Sequence, residues 1–221
     1  MKEGLLANLA ACGQQHLLAF WDKLTDPQRR SLAAEIAGID FALVNELFRQ
    51  GDGKEGIKAL AARAVPPPAF RLDAPQSAFA PGEARRRGGE VLSAGQVGVM
   101  VVAGGQGTRL RFDHPKGMYP IGPVSEHSLF QIHVQKILAA SRRYGARIPL
   151  YVMTSPATDA ETREFLAAHD RFGLPEEDLW VFCQGTMPAV DAATGKILLD
   201  GPDHVALSPN GHGGMLAALA G

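Results

Sequence analysis

Residues 97–122 read VGVMVVAGGQGTRLRFDHPKGMYPIG. The stretch opens on a β-branched apolar run, Val97, Val99, Val101 and Val102, which has the composition of a buried strand. It then breaks into Gly104-Gly105-Gln106-Gly107, followed by Thr108, Arg109, Arg111 and, past Pro115, Lys116. A buried strand that empties into a glycine-rich turn carrying cations is how α/β proteins build a phosphate site. Glycine lets backbone N–H groups approach the anion, and Arg or Lys neutralises its charge. The third glycine of a dinucleotide fingerprint is missing, and so is the Lys-Ser/Thr that closes a Walker loop. The loop is a phosphate loop of another kind, and the rest of the chain reads as its support.

At 221 residues the chain holds one ordinary domain, or a small helical piece plus one domain. Hydrophobic residues at 46% and charged residues at 20% are globular values and exclude a disordered or fibrous protein. A net charge of −1 and 7% aromatics give no basic surface for nucleic acid or anionic lipid and no stacking platform for single strands. Cys12 and Cys183 are far apart in apolar surroundings and are expected to be two buried thiols in a reducing cytoplasm. The seven histidines show no zinc spacing. Leu9-Ala10-Ala11-Cys12-Gly13 matches a lipoprotein cleavage box, but the segment before it lacks a clear positive start and a long apolar core. No stretch approaches the roughly 20 apolar residues of a membrane span.

Periodicity predicts an amphipathic helix over 2–21, a second from Thr25-Asp26-Pro27 to Ala37, and a third from Asp40 to Gly51-Asp52-Gly53. Residues 1–63 form a helical appendage on this reading. Residues 64–96 make a proline-rich connection with a helix from Pro81 to Ala94. That helix carries Arg85-Arg86-Arg87, either a solvated face or a reach towards the phosphate loop. From Val97 the pattern becomes strand (97–103), helix (128–144), strand (148–154), helix (159–169), strand (179–183). Such alternation implies an open, doubly wound, mostly parallel α/β sheet over 97–221. Ligands of such sheets bind at the carboxyl ends of the strands, which puts Gly104–Arg109, Thr154-Ser155 and Gln184-Gly185 on one rim. Short strands follow at 187–190, 197–200 and 205–207, and the chain closes on a helix start, Met215–Ala220, so a longer protein is expected.

The string Ala103-Gly104-Gly105-Gln106-Gly107-Thr108-Arg109-Leu110, followed by Pro115-Lys116-Gly117-Met118, resembles the signature of the nucleotide-sugar pyrophosphorylases. Within that superfamily it is most similar to the UDP-N-acetylglucosamine and UDP-glucose pyrophosphorylase group. Leu129-Phe130-Gln131-Ile132, Gln184-Gly185 and Asn210-Gly211-His212-Gly213-Gly214 fall in that group's order. The resemblance is specific over 97–220 and loose before it. It implies the N-terminal part of a Rossmann-like, cytoplasmic uridylyltransferase that joins UTP and a sugar 1-phosphate into a UDP-sugar and pyrophosphate, with Mg²⁺.

The resemblance further implies that Arg109 binds the phosphates that leave as pyrophosphate, and that Lys116 stabilises charge around the α-phosphorus. Amides of Gly104, Gly105, Gln106, Gly107 and Thr108 would hold phosphates, and the uracil would lie against Ala103, Gly104, Gly105, Gln184 and Gly211. Arg111 stands where the acetylglucosamine enzymes carry glycine. His212 stands where they carry asparagine and the glucose enzymes carry Gly-His-Gly. N-acetylglucosamine 1-phosphate is the sugar expected, with glucose 1-phosphate the alternative. A second reading, of another class, is a catalytically incompetent UTP- or UDP-sugar-binding module. The group's metal-binding aspartate, sugar pocket and second catalytic lysine are expected beyond Gly221, so no residue here is assigned to the metal. Nucleic acid and membrane are not expected partners, and the oligomeric state is left open.

Overall fold

The computed structural model describes residues 1–50, 59–67 and 80–220. The helix stop expected at Gly51–Gly53 and most of the proline-rich connection lie outside the described residues. The chain folds into two compact units that do not follow chain order, one of 1–67 with 186–209, the other of 68–185 with 210–221. The expected single domain over 97–221 is thus divided, because residues 186–209 bury their apolar side chains among the N-terminal helices.

In the first unit α1 spans Lys2–Ala11, α2 Asp26–Ala37 and α3 Phe41–Gln50. The helix expected over 2–21 stops early. Gly13 adopts φ +70°, a left-handed turn that glycine enters freely, and short 3₁₀ turns at Gln15–Leu18 and Trp21–Lys23 follow. The apolar positions still point inward: Leu9, Leu17, Trp21, Leu32, Ile36 and Val44 share a core with Ile197 and Val205. A capping box between Thr25 and Gln28 starts α2.

The later segment of this unit pairs strand β4 (Thr186–Pro188) antiparallel with β5 (Leu207–Pro209). The stretches expected as strands between them make only isolated bridges, Val190 with Ile197 and Leu199 with Val205. Side chains from the N-terminal helices and turns complete their hydrogen bonding. Buried Gln14 donates through Nε2 to the Gly195 carbonyl at 3.2 Å and accepts the Ile197 N–H at 2.9 Å, doing the work of a neighbouring strand. Glu35 accepts the Val205 N–H at 2.9 Å and the His204 ring N–H at 2.8 Å.

In the second unit β1 (Val99–Val102), β2 (Leu150–Thr154) and β3 (Leu179–Cys183) form a parallel sheet in the order β1-β2-β3. Helix α4 spans Pro81–Ser93, α5 Leu129–Tyr144 and α6 Asp159–Ala168. Ser128 caps α5 by accepting the Gln131 N–H, and Gly145 ends it at φ +64°. The inward face of α5 (Phe130, Val134, Ile137) and Leu166 of α6 pack on alternate strand residues Val99, Val101, Leu150, Val152, Leu179 and Val181.

Both crossover helices therefore cover one face, as a sequential strand order with crossovers of one hand requires. The reversal of strand order that makes a sheet doubly wound is not among the described strands. On the opposite face Tyr151 stacks on Trp180 at 5.2 Å, and Trp180 and Val102 remain exposed. Cys183, the last residue of terminal strand β3, is exposed and Cys12 is half-buried, so neither is the buried thiol expected; both are free.

Of the basic run on α4, Arg86 pairs with Glu83 and Glu90, and Arg87 with Glu90, which accounts for two of the three guanidinium groups within the helix itself.

Two outcomes follow from these contacts. A β-carbon at buried Gly117 would lie 2.2 Å from Cζ of the Phe130 ring, so Gly117→Ala is expected to destabilise the sheet unit by about 1–3 kcal/mol, read from a denaturant titration. The hydrogen bond to Glu35 holds the His204 pKa above its ordinary value. That contribution is full below the unfolded pKa of about 6.5 and is lost as pH rises through the higher folded value. Unfolding of the helical unit, followed by Trp21 emission in a Trp180→Phe background, is expected to shift to lower temperature between about pH 6 and 8. Glu35→Gln should flatten that dependence.

Candidate functional site

The parallel ladder runs past the ends of the strands. Ala103 N–H donates to the Met153 carbonyl at 2.7 Å and Gln184 N–H to the Thr154 carbonyl at 2.9 Å. This sets Gly104, Ser155 and Gln184 side by side on the carboxyl rim, where the strand pattern puts a ligand. A β-carbon on Gly104 would meet Gln184 Nε2 and Ser155 Cβ at 3.2 Å, so the glycine gives these two side chains their seats. Ser155 Oγ donates to the Gly104 carbonyl at 2.8 Å, and Ser155 N–H is accepted by Thr158 Oγ1 at 3.0 Å. Gln184 is 7% exposed, yet its side-chain amide makes no hydrogen bond among the described residues. Its amide nitrogen and oxygen are not among the buried polar atoms left without a partner, so solvent reaches them and they stand open to a ligand.

The chain then makes an excursion from Gly105 to Lys116. Its neck is closed by two backbone bonds, Lys116 N–H to the Gly105 carbonyl at 3.0 Å and Gly107 N–H to the His114 carbonyl at 2.9 Å. A β-carbon on Gly107 would lie 2.7 Å from the Phe112 carbonyl oxygen and 2.8 Å from the Phe112 ring. The Phe112 ring in turn sits edge-on between His114 at 5.0 Å and Tyr119 at 5.3 Å. Thr108–Leu110 form a single 3₁₀ turn that ends at Arg111, whose φ of 54° is left-handed.

Lys116 places its ammonium 3.8 Å from where a β-carbon of Gly105 would stand, over the start of the loop. Arg109, Arg111 and Lys116 are exposed and have no carboxylate partner among the described residues. Of the five amides expected to cradle phosphate, the Gly107 N–H is already spent on His114. Those of Gly104, Gly105, Gln106 and Thr108 have no backbone acceptor among the described residues. The Gln106 side chain is spent too, donating to the Ala157 carbonyl at 3.1 Å.

Gly211 reaches the rim through its neighbour. Asn210 N–H donates to the Gly185 carbonyl at 3.1 Å, and the Asn210 amide fills the space above Gly185 and Gly214, each leaving 2.6 Å for a β-carbon. Gly211 itself adopts φ +79°, and helix α7 (Met215–Ala220) follows. His212 lies in the turn between them; its side chain lies outside the described residues.

Ser155, Asn210 and His133 belong to the neighbourhood without having been singled out as site residues. His133 lines a small cleft of about 100 Å³ with Ala103, Gly105, Lys116 and Phe130. Burial first, and Lys136 second, hold its pKa below the ordinary imidazole value. No group of three His, Cys, Asp or Glu side chains among the described residues could hold a metal ion. No described helix is long and apolar enough to cross a membrane.

Taken together, the rim offers unpaired cations and free amides at one loop, and beside it an amide side chain able to satisfy both edges of a planar base. Comparisons with known proteins give the family. The chain is 36% identical over 235 residues to a human UDP-N-acetylhexosamine pyrophosphorylase-like protein 1, covering 99% of this chain and 45% of the relative. It is 41% identical over 137 residues to the UDP-N-acetylglucosamine pyrophosphorylase of Saccharomyces cerevisiae, covering 61% of this chain and 29% of that one. The crystal structure of the uridine diphosphate N-acetylglucosamine pyrophosphorylase of Trypanosoma brucei superposes with a TM-score of 0.72 at 32% identity, over 99% of this chain and 45% of that one. The chain thus spans less than half the length of these relatives. With the family model for UTP–glucose-1-phosphate uridylyltransferase matching residues 56–221, the chain belongs to that family.

Proposed function

We propose that this chain carries the nucleotide half of a uridylyltransferase that makes a UDP-sugar and pyrophosphate from UTP and a sugar 1-phosphate. The observation that carries the reading is one rim holding both a side-chain amide, Gln184, that is open to a ligand and two cations, Arg109 and Lys116, without carboxylate partners among the described residues. In the reaction a sugar-phosphate oxygen forms a bond to the α-phosphorus of UTP while the bond to the β-phosphate oxygen breaks. Two polyanions must meet in line, so catalysis is largely positioning and charge neutralisation. Arg109 takes the β- and γ-phosphates that leave. Lys116, lying over Gly105, meets the charge that builds on the α-phosphoryl oxygens. Gln184 and the backbone of Ala103–Gly105 take the uracil, with Gly211 beside them. His212, in the turn after Gly211, is assigned to substrate binding.

N-acetylglucosamine 1-phosphate is the proposed sugar, supported by the names of the relatives quoted above. Glucose 1-phosphate is the alternative. Mg²⁺ is the proposed metal, taking substrate phosphates and the aspartate expected beyond Gly221, and no role in this chain is routed through it. Two free cysteines suit a cytoplasmic enzyme. A pure UTP- or UDP-sugar-binding module remains the competing reading. A leaving-group clamp such as Arg109 is superfluous to uracil binding, and its presence favours the enzyme.

Two variants separate the roles. Lys116→Ala is expected to lower uridylyl transfer about 10²–10³-fold with UTP affinity falling less than about tenfold. Gln184→Ala should weaken UTP and uridine alike while leaving affinity for inorganic pyrophosphate unchanged. Binding is read by calorimetry on this chain. Turnover is read as pyrophosphate release with each sugar phosphate, in this chain and in a version extended to the relatives' length. An extended protein with no turnover on any sugar phosphate sinks the enzyme reading.

A further inference from the structure

The excursion that carries Arg109 and Lys116 is fastened on its outer side to a single element. Gln106 Nε2 donates to the Ala157 carbonyl just before α6, and His114 Nδ1 meets the Glu161 carboxylate in the first turn of α6. An ionised carboxylate has no proton to give, so Nδ1 carries the hydrogen and donates. His114 is further held by the edge of Phe112, whose ring packs on Gly107. A continuous line of contacts runs Gly107–Phe112–His114–Glu161. Helix α6 is a firm anchor, because Thr158, Thr162 and Leu166 are all buried.

We propose that His114 and Glu161 are a positioning pair that fixes the 107–116 excursion on α6, and so sets where Arg109 and Lys116 stand before a polyphosphate arrives. This rests on the phosphate-loop reading above. The His114 and Glu161 side chains are 53% and 38% exposed. An exposed pair contributes little to global stability. A loop already ordered spares the ligand the entropy of ordering it, so the contribution of the pair goes into binding. Losing the pair should therefore weaken a polyphosphate ligand without moving the melting temperature.

The test uses His114→Phe, which keeps a ring against Phe112 but removes the donor, together with Glu161→Ala, Glu161→Gln and the double variant His114→Phe/Glu161→Ala. UTP affinity is measured by calorimetry, and amide hydrogen exchange is measured over residues 105–116. Each of the first two variants is expected to weaken UTP about three- to fivefold and to speed exchange of the loop, with thermal midpoints unchanged. Glu161→Gln, whose amide oxygen still accepts, should restore most of the affinity. The double variant should bind no more weakly than either single, as coupled partners do.

Unchanged affinity in the singles, additive losses in the double, or a Glu161→Gln as weak as Glu161→Ala would each overturn the pair's role. A wild-type chain that fails to bind UTP would instead overturn the phosphate reading, and loop exchange in the same variants would still decide whether the pair holds the excursion.

Discussion

At three places in the 104–117 loop the backbone lies so close to other atoms that no β-carbon fits comfortably. Gly104 is pressed by Gln184 and Ser155, Gly107 by Phe112 and the His114 carbonyl, and Gly117 by the Phe130 ring. Everything at the rim depends on these approaches. Gly117 lets α5 come up directly beneath the loop, and Lys116 is carried over Gly105 by the same turn. Gly107 lets the excursion close on its own aromatic filling, and Gly104 lets a side-chain amide lie flat on the strand end. None of the three has a positive φ. What they supply is vacant volume rather than a left-handed turn, so even alanine would disturb them.

Several arginines away from the rim are paired locally, Arg86 with Glu83 and Glu90, Arg147 with Asp178 and Arg163 with Asp159, though Arg85 and Arg142 have no carboxylate partner among the described residues. The rim cations likewise stand without carboxylate partners among the described residues. Exposed ion pairs contribute about 1 kcal/mol or less each, so leaving Arg109 and Lys116 unpaired costs the fold little. It leaves an uncompensated positive field at one strand end, which a polyphosphate can neutralise at short range. The chain as a whole is near neutral, so this field is local and owes nothing to bulk charge.

Much of this was legible from local sequence. Strand β3 and the limits of α2 and α5 fell within a residue or two of expectation, because caps such as Thr25 and Ser128 and stops such as Gly38 and Gly145 act on their immediate neighbours. The glycine loop with Arg109 and Lys116 was legible for the same reason. Contacts between residues far apart in the chain were not. Gln106 with Ala157 and His114 with Glu161 are separated by 51 and 47 residues and leave no periodic trace. The two-unit division was hidden for the same cause: Gln14 reads backbone groups at Gly195 and Ile197, 181 and 183 residues away. Cys183 looked buried by composition, and its position on the terminal strand of the sheet made it exposed.

Gln184 and Gly211, both proposed to take the base, are joined by pairing rather than by proximity in sequence. Gln184-Gly185 and Asn210-Gly211 are separated by the whole 186–209 segment, yet the pairing of Thr186 with Pro209 continues into the bond from Asn210 N–H to the Gly185 carbonyl. That bond, with the Asn210 amide seated on Gly185 and Gly214, fixes the turn carrying Gly211 against the end of β3. Slipping the β4–β5 register by one residue would turn every side chain of the strand to the other face. It would also move Asn210 off Gly185. Residues brought together by pairing in this way lie far apart in the chain, which is why local sequence does not show them as neighbours.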